Sequence, residues 1–167
     1  RKGKVKTLLI LRHAKSSWNN LDLPDYDRPL NKRGKRDAPR MGDFLRHQDL
    51  VPDLIISSTA KRAKKTAKLF AKAVGYKEKI SLETSFYHAR PETYITVLQE
   101  INYDYERIMV IGHNPGLEAL VAILAGSMEL MPTAAIAHVL LPIDQWNQLA
   151  AEVGGKLQNL WRPKEIT

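Results

Sequence analysis

Residues 8–14 read Leu-Leu-Ile-Leu-Arg-His-Ala, an apolar run that leads directly into an arginine and a histidine. A short apolar run of this kind is typical of a strand that is buried on both faces of a parallel sheet. In an open α/β sheet, ligands bind just beyond the carboxyl ends of the strands, where Arg12 and His13 are expected to lie. A guanidinium beside an imidazole that is neutral near pH 7 suggests a phosphate site with a nucleophile. The alternative is a strand that ends in two solvated polar residues.

The composition favours one globular domain over residues 1–167. The chain has 167 residues, 44% of them hydrophobic, which is enough for a sizeable core. No stretch approaches the roughly 18 apolar residues of a membrane span, and no secretory segment is evident, so we expect a cytoplasmic protein without a membrane partner. The absence of cysteine excludes disulfides, a thiolate nucleophile and a zinc-thiolate site.

The net charge of +8 indicates that the protein attracts anions. Nucleic acid is one class of anionic partner, but the chain shows no RNA-binding aromatic motif, no zinc-finger spacing and no clear helix-turn-helix pattern. Phosphorylated substrates therefore rank ahead of nucleic acid.

Predicted strands and helices alternate along the chain. Helical periodicity separates most of the strands, with apolar positions such as Ala38, Met41 and Leu45 in the first helix. This order predicts a three-layer α/β/α sandwich with a mostly parallel central sheet. The predicted strands are Thr7–Arg12, Leu54–Ser57, Ile80–Glu83, Ile108–Gly112, Ile136–Leu141 and Lys156–Trp161.

Two local features predict how the first helix begins and what kind of loop precedes it. Asn31 is a suitable N-cap, whereas Pro39 removes a backbone hydrogen bond and predicts a kink or a late start. Asp22, Asp25 and Asp27 precede the helix in a polar stretch whose spacing does not match a calcium loop. We expect a solvated loop there and assign no metal.

Two further segments place polar residues directly after apolar strands. Residues 54–56 lead into two serines and a threonine, of which Ser58 or Thr59 could cap a helix that carries Arg62. Residues 108–111 lead into Gly112-His113-Asn114-Pro115, so His113 occupies on its strand the position that His13 occupies on the first.

Together these segments resemble the histidine phosphatase superfamily, which includes the phosphoglycerate mutases. The first motif, usually Arg-His-Gly, stands here as Arg12-His13-Ala14, and the second, Ser-Ser-x-x-x-Arg-Ala-x-x-Thr-Ala, covers residues 57–67. The third covers residues 112–115. Three motifs in order, each after an apolar strand, are a far more specific signal than any one alone.

The resemblance implies a hydrolase with a phosphoglycerate mutase-like fold and no cofactor. Arg12 and Arg62 would bind the phosphate in place of a metal, while neutral His13 attacks phosphorus to form a phosphohistidine intermediate. His113 would donate a hydrogen bond or positive charge to the phosphoryl oxygens. Phosphate, sulfate or a similar anion is expected to bind in such a pocket.

Within the superfamily, the SixA-type phosphohistidine phosphatases look most similar. They are comparably short and carry Arg-Pro-Leu before the first helix, here residues 28–30. The chain has little spare length for the cap that larger branches insert, so the site is expected to be shallow and open. Such a site suits a phosphohistidine presented by another protein.

The loop after the first strand also resembles the mutase-like branch. Ser16, Trp18 and Asn19 match Arg-His-Gly-Glu-Ser-x-Trp-Asn, whereas Ala14 and Lys15 depart from it and leave the substrate open. Ser16 and Asn19 are candidate phosphate donors, although a polar loop after a strand explains them equally well.

A general acid is harder to identify. Glu83 and Glu92 are weak candidates, and a weak or absent acid favours a phosphohistidine substrate over an alkyl phosphate. Two alternatives stay open: a small-molecule or general phosphomonoesterase, and a non-catalytic phospholigand-binding module.

Residues 88–90 are candidates for the pocket entrance. Lysines on the helix that carries Arg62 are either a solvated face or a docking surface for an acidic phosphorylated partner. These lysines are Lys61, Lys64, Lys65, Lys68 and Lys72.

Overall fold

A single mixed sheet forms the centre of the molecule in the computed structural model, which describes residues 5–166. Its strands are β1 (Lys6–Arg12), β2 (Leu54–Ser58), β3 (Ser81–Glu83), β4 (Arg107–Gly112), β5 (Ile136–Leu141) and β6 (Lys156–Trp161). Their order is β3-β2-β4-β1-β5-β6. The first four strands run parallel, β5 is antiparallel to β1, and β6 is antiparallel to β5. The predicted strands are all present, and the mostly parallel sheet is confirmed.

Helices cover both faces of the sheet. The helices are α1 (Lys32–His47), α2 (Lys61–Val74), α3 (Pro91–Gln99) and α4 (Gly116–Ala125), with short 3-10 helices at 25–27, 84–86, 146–148 and 163–165. One core cluster joins the sheet to α1 and α2, and the other joins it to α3 and α4. The three-layer α/β/α sandwich is confirmed.

Strand β1 contributes side chains to both cores. Leu8 and Ile10 pack in the core beneath α3 and α4, whereas Leu9 and Leu11 pack beneath α1 and α2. Successive side chains of a strand point to opposite faces, so an unbroken apolar run is required wherever both faces are covered.

Helix α1 begins where the cap predicts. The Asn31 side chain accepts a hydrogen bond from the Gly34 N–H at 2.9 Å, which confirms it as the N-cap. The helix continues through Pro39, so the predicted late start is wrong, and a kink stays a prediction. Met41 and Leu45, beyond the proline, are fully buried, and their packing outweighs one missing backbone hydrogen bond.

The predicted cap of α2 is wrong. The N-cap is Ala60, which provides no side-chain hydrogen bond. Ser58 still belongs to β2 and its hydroxyl contacts His113, while the Thr59 hydroxyl accepts a hydrogen bond from Tyr26. Both candidate side chains are therefore engaged elsewhere.

Three carboxyl strand ends meet at one edge of the sheet. Arg12 of β1 lies beside Gly112 of β4, and Ser57 of β2 lies beside Ile111. The residues that follow these strands are thereby brought together, although they are up to 100 positions apart in the sequence.

Across residues 5–166, no helix combines the length and the apolar character needed to cross a bilayer. The same part of the chain contains no group of three His, Asp or Glu side chains that could hold a metal ion.

Candidate active site

The two histidines of the predicted site lie next to each other. His13 and His113 follow the neighbouring strands β1 and β4, and their ring centroids are 5.1 Å apart. Both residues are buried, at 6% and 5% exposure. The structure thus brings together two imidazoles that the sequence separates by 100 positions.

The hydrogen bonding of His13 leaves one ring nitrogen available as a nucleophile. Its Nδ1 lies 2.8 Å from the Ala14 carbonyl oxygen. Because a carbonyl only accepts, Nδ1 carries the proton and Nε2 retains its lone pair. Burial lowers the pKa of His13 to about 3; the bond to Ala14 opposes this shift, and the charges of His113, Arg62 and Arg12 add to it. The ring is therefore neutral at physiological pH.

His113 has the complementary arrangement. Its Nε2 lies 2.8 Å from the Ser58 hydroxyl, which also accepts a hydrogen bond from the Ala60 N–H at 3.2 Å. We assign Ser58 as the donor to Nε2, which places the His113 proton on Nδ1. That Nδ1 is buried and has no hydrogen-bond partner among residues 5–166. Burial, followed by the charges of Arg62 and His88, lowers the pKa of His113 to about 4.

Arg12 is held from behind by the loop that precedes β5. Its Nη1 donates to the Met131 carbonyl at 3.1 Å, while its buried Nε has no hydrogen-bond partner in the described part of the chain. Glu118 fixes this loop by accepting from the Met131 N–H at 2.7 Å and from Asn114 Nδ2 at 3.0 Å. Burial lowers the pKa of Arg12 and the Glu118 charge opposes this shift, but a guanidinium stays protonated.

Asp25 orients the second arginine, which corrects the expectation of a solvated aspartate. Arg62 is buried and donates from Nη1 to the Asp25 backbone carbonyl at 2.7 Å and from Nη2 to its carboxylate at 3.0 Å. The carboxylate also accepts from Tyr87 at 2.6 Å and from Arg28 at 2.9 Å. Burial alone raises the pKa of Asp25, but the hydrogen bonds from Tyr87, Arg28 and Arg62 outweigh it, so the pKa lies below its ordinary value.

Arg28 organises the loop that contains the two weaker candidates. It is buried, lies 3.3 Å from the centre of the Trp18 ring, and donates to the Ser16 hydroxyl. Ser16 is therefore a buried partner of Arg28. Asn19 is exposed, and within residues 5–166 its side chain forms no hydrogen bond. The phosphate-binding role of these two residues stays a prediction.

The glycine before His113 is required by close packing. A Cβ at Gly112 would lie 2.1 Å from the hydroxyl of Tyr94, a fully buried residue. That hydroxyl accepts a hydrogen bond from the His113 N–H at 3.3 Å. The absence of a side chain at position 112 therefore lets Tyr94 position the histidine backbone.

The candidate acids lie away from the histidine pair. Glu83 accepts from the Ser85 hydroxyl at 2.8 Å, and Glu92 pairs with Arg90 at 3.5 Å. In the described part of the chain, neither carboxylate contacts Arg12, His13, Arg62 or His113. At the rim, His88 is exposed and packs on Tyr87 with a centroid separation of 3.9 Å.

The site presents a nucleophile together with unused donors. A guanidinium has five N–H groups, and Arg62 uses two of them on Asp25, so it retains further N–H groups that could bind a phosphate. Arg12 Nε and His113 Nδ1 add further N–H donors. Within residues 5–166, they are two of the three buried side-chain nitrogens that have no hydrogen-bond partner. Donors around a neutral imidazole can stabilise the equatorial oxygens of a phosphoryl group while His13 attacks it.

Sequence reasoning missed the residues that support the four central side chains. Asp25, Tyr87 and Glu118 carry no signal in the sequence, because their contacts are set by the tertiary fold. Arg28 stands in the Arg-Pro-Leu motif, and Ser58 in the Ser-Ser motif, so these two motifs could have indicated positioning roles.

The chain is similar in sequence and fold to proteins of one superfamily. The model of the histidine phosphatase superfamily (branch 1) matches residues 8–86. An uncharacterized chloroplastic protein of Arabidopsis thaliana is 34% identical over 170 residues, which cover 95% of this chain and 78% of that protein. The Agrobacterium tumefaciens protein assigned as phosphohistidine phosphatase SixA is 27% identical with a TM-score of 0.81, covering 95% of this chain and 98% of its own.

A structure of the protein histidine phosphatase SixA complexed with tungstate has the same fold. Its TM-score is 0.80 at 21% identity, and the match covers 95% of this chain and 97% of that one. The chain belongs to the histidine phosphatase superfamily and is a phosphatase, that is, a hydrolase of phosphoryl groups.

Proposed function

We propose that the protein removes the phosphoryl group from phosphohistidine on another protein, through a covalent phospho-His13 intermediate. The observation that carries this proposal is the neutral His13, whose proton is fixed on Nδ1 by the Ala14 carbonyl and whose neighbours offer unused N–H donors. The likeness to SixA proteins supports the substrate class. The tungstate complex of one such protein supports anion binding in the pocket.

In the first step, His13 Nε2 attacks phosphorus and the bond from phosphorus to the substrate nitrogen breaks. The electron pair of that bond returns to the substrate imidazole, which leaves as a neutral ring if its other nitrogen carries a proton. Arg12, Arg62 and His113 Nδ1–H hydrogen-bond the three equatorial oxygens as the group passes between the two nitrogens.

In the second step, water attacks the phosphorus of phospho-His13. The P–N bond breaks, Nε2 regains its lone pair, and the water protons are shared between the released phosphate and solvent. The same donors hold the oxygens in both steps, so the pocket does not need to rearrange.

The carboxylates around the site favour a leaving group that needs no strong acid. Asp25 is ionised because its pKa lies below the ordinary value, so it cannot donate a proton near pH 7. Glu83 and Glu92 are engaged with their own neighbours. A protonated phosphoimidazole leaves as a neutral ring, whereas an alkoxide requires a proton from an acid.

A substrate panel tests this proposal. We expect kcat/KM for a phosphohistidine peptide to exceed that for the matched phosphoserine peptide by at least about 100-fold, since a general acid contributes on the order of 100-fold or more to alcohol departure. His13→Ala abolishes both activities. His47→Ala, which alters an exposed histidine on α1, is the matched control and retains them. Comparable rates on the two peptides would contradict the proposed substrate and indicate a general phosphomonoesterase.

A further inference from the structure

A groove of about 600 Å³ lies beside the candidate active site, on the outer side of α2. Its walls carry five exposed lysines: Lys35, Lys61, Lys64, Lys65 and Lys68. Its floor is formed by Pro29, Leu30, Ile80 and Leu82. We call this surface the lysine groove. No carboxylate from residues 5–166 lines it, so its positive charge faces solvent.

Two residues that line the lysine groove are chain neighbours of residues at the site. Lys61 directly precedes Arg62, and Pro29 directly follows Arg28, which shares Asp25 with Arg62. Along α2, Lys61 and Lys68 are seven residues apart, about 10 Å on a helix with a rise of about 1.5 Å per residue. A chain whose phosphorylated residue enters the site can therefore lie in the groove three to five residues away, at about 3.3 Å per extended residue.

The chemistry of the groove floor favours a protein partner over a nucleic acid. Proteins that bind single-stranded nucleic acid stack its bases on aromatic side chains. Among residues 5–166, none of those that line the groove is aromatic. The floor is aliphatic, and Leu82 is 48% exposed on β3, the edge strand of the sheet. Lysine stems extend this apolar surface while their ammonium groups stay in water. Such a groove fits leucine-like side chains flanked by carboxylates.

We propose that the lysine groove binds an acidic, leucine-containing segment of the phosphorylated protein, within a few residues of its phosphohistidine. This inference rests on the proposed function, because it names the partner of the same site. The groove adds affinity for the substrate protein and leaves the chemistry at His13 unchanged.

Two pairs of synthetic phosphohistidine peptides test the inference. Each peptide has a segment of glutamates and leucines three to five residues before or after the phosphohistidine, and its partner has glutamine in place of each glutamate. The small substrate p-nitrophenyl phosphate reports on the chemistry alone. The groove variant is Lys64→Glu with Lys68→Glu, and the control with the same change in charge is Lys72→Glu with Lys77→Glu, two exposed lysines outside the groove.

We expect the wild type to prefer the acidic member of at least one pair by about tenfold in kcat/KM, which corresponds to about 1.4 kcal/mol and is within reach of several exposed ion pairs. The groove variant loses this preference and the control variant keeps it. Turnover of p-nitrophenyl phosphate is the same in all three proteins.

Equal rates on both members of each pair would overturn the inference while leaving the proposed function intact. Equal loss in the two double variants would overturn it too, since net charge would then explain the effect. Binding of a fluorescent single-stranded DNA to the wild type and the groove variant is measured alongside the peptide rates. If the DNA binds the wild type but not the groove variant, and the peptide rates within each pair are equal, the groove is a nucleic-acid site. Failure to dephosphorylate any of the peptides would contradict the proposed function itself, and this inference with it.

Discussion

Replacing Asp25 with asparagine keeps the shape of the side chain and removes its charge. One carboxylate oxygen of Asp25 accepts from Arg62 at 3.0 Å and from Tyr87 at 2.6 Å, and the other accepts from Arg28 at 2.9 Å. An asparagine has one oxygen and an NH₂ group that only donates. Whichever way the amide turns, the guanidinium of Arg28 or of Arg62 faces a donor and loses its side-chain acceptor at position 25.

The size of the effect follows from the exposure of Asp25. A hydrogen bond to a charged group contributes about 1.5 to 3 kcal/mol, while an exposed ion pair contributes less than about 1 kcal/mol. The Asp25 side chain is 40% exposed, so solvent screening places its contribution between these ranges. We take about 1.4 kcal/mol as the stabilisation of the transition state that is lost when Arg62 is less well oriented. This energy corresponds to about a tenfold loss in kcat/KM.

Steady-state kinetics on a phosphohistidine peptide measures this effect. Because Arg62 would bind phosphate in both the ground state and the transition state, we expect most of the loss in KM. The control is Asp27→Asn, which alters an exposed aspartate of the same 3-10 helix and changes neither constant. An unchanged or increased kcat/KM in Asp25→Asn would refute the reasoning, since it would mean that Asp25 competes with phosphate for Arg62.

Three further predictions follow from the histidine pair and its support. Burial lowers the pKa of His13 to about 3 and that of His113 to about 4. We therefore expect kcat/KM, corrected for substrate ionisation, to stay level from about pH 8 to pH 5 and to fall only as protonation of His13 near pH 3 removes its lone pair. A midpoint near the ordinary histidine value of about 6.5 contradicts this. Ser58→Ala releases Nε2 of His113, so we expect kcat to fall about tenfold with little change in KM, and an equal rise in KM counts against the assigned tautomer. Gly112→Ala brings a methyl group against Tyr94, so urea titration should show a loss of about 1 to 3 kcal/mol in the free energy of unfolding, partly recovered by adding Tyr94→Phe; no recovery contradicts the contact.

The strands and the four central site residues could be predicted from the sequence because each depends on local patterns. The apolar run before Arg12 and His13 indicates a buried strand, and the same pattern precedes His113. Parallel strands then place their carboxyl ends at one edge, so the meeting of these residues follows from the fold class.

The supporting contacts could not be predicted, because they join segments far apart in the chain. Asp25 contacts Arg62 across 37 positions and Tyr87 across 62, and no spacing rule connects such pairs. The position of Ser58 and Thr59 before α2 predicts that one of them caps the helix. The fold instead directs the Ser58 hydroxyl to His113, which shows how tertiary structure selects among the hydrogen bonds that a serine can form.

The proposed reaction depends most directly on His13 as a covalent nucleophile. Rapid quenching at alkaline pH after mixing with a ³²P-phosphohistidine peptide, followed by mass spectrometry, tests this. We predict alkali-stable, acid-labile phosphate on His13 within the first turnover. The His13→Ala variant, checked to be as stably folded as the wild type, is expected to carry no label. Label on another residue, or phosphate release at the wild-type rate from His13→Ala, would contradict the account.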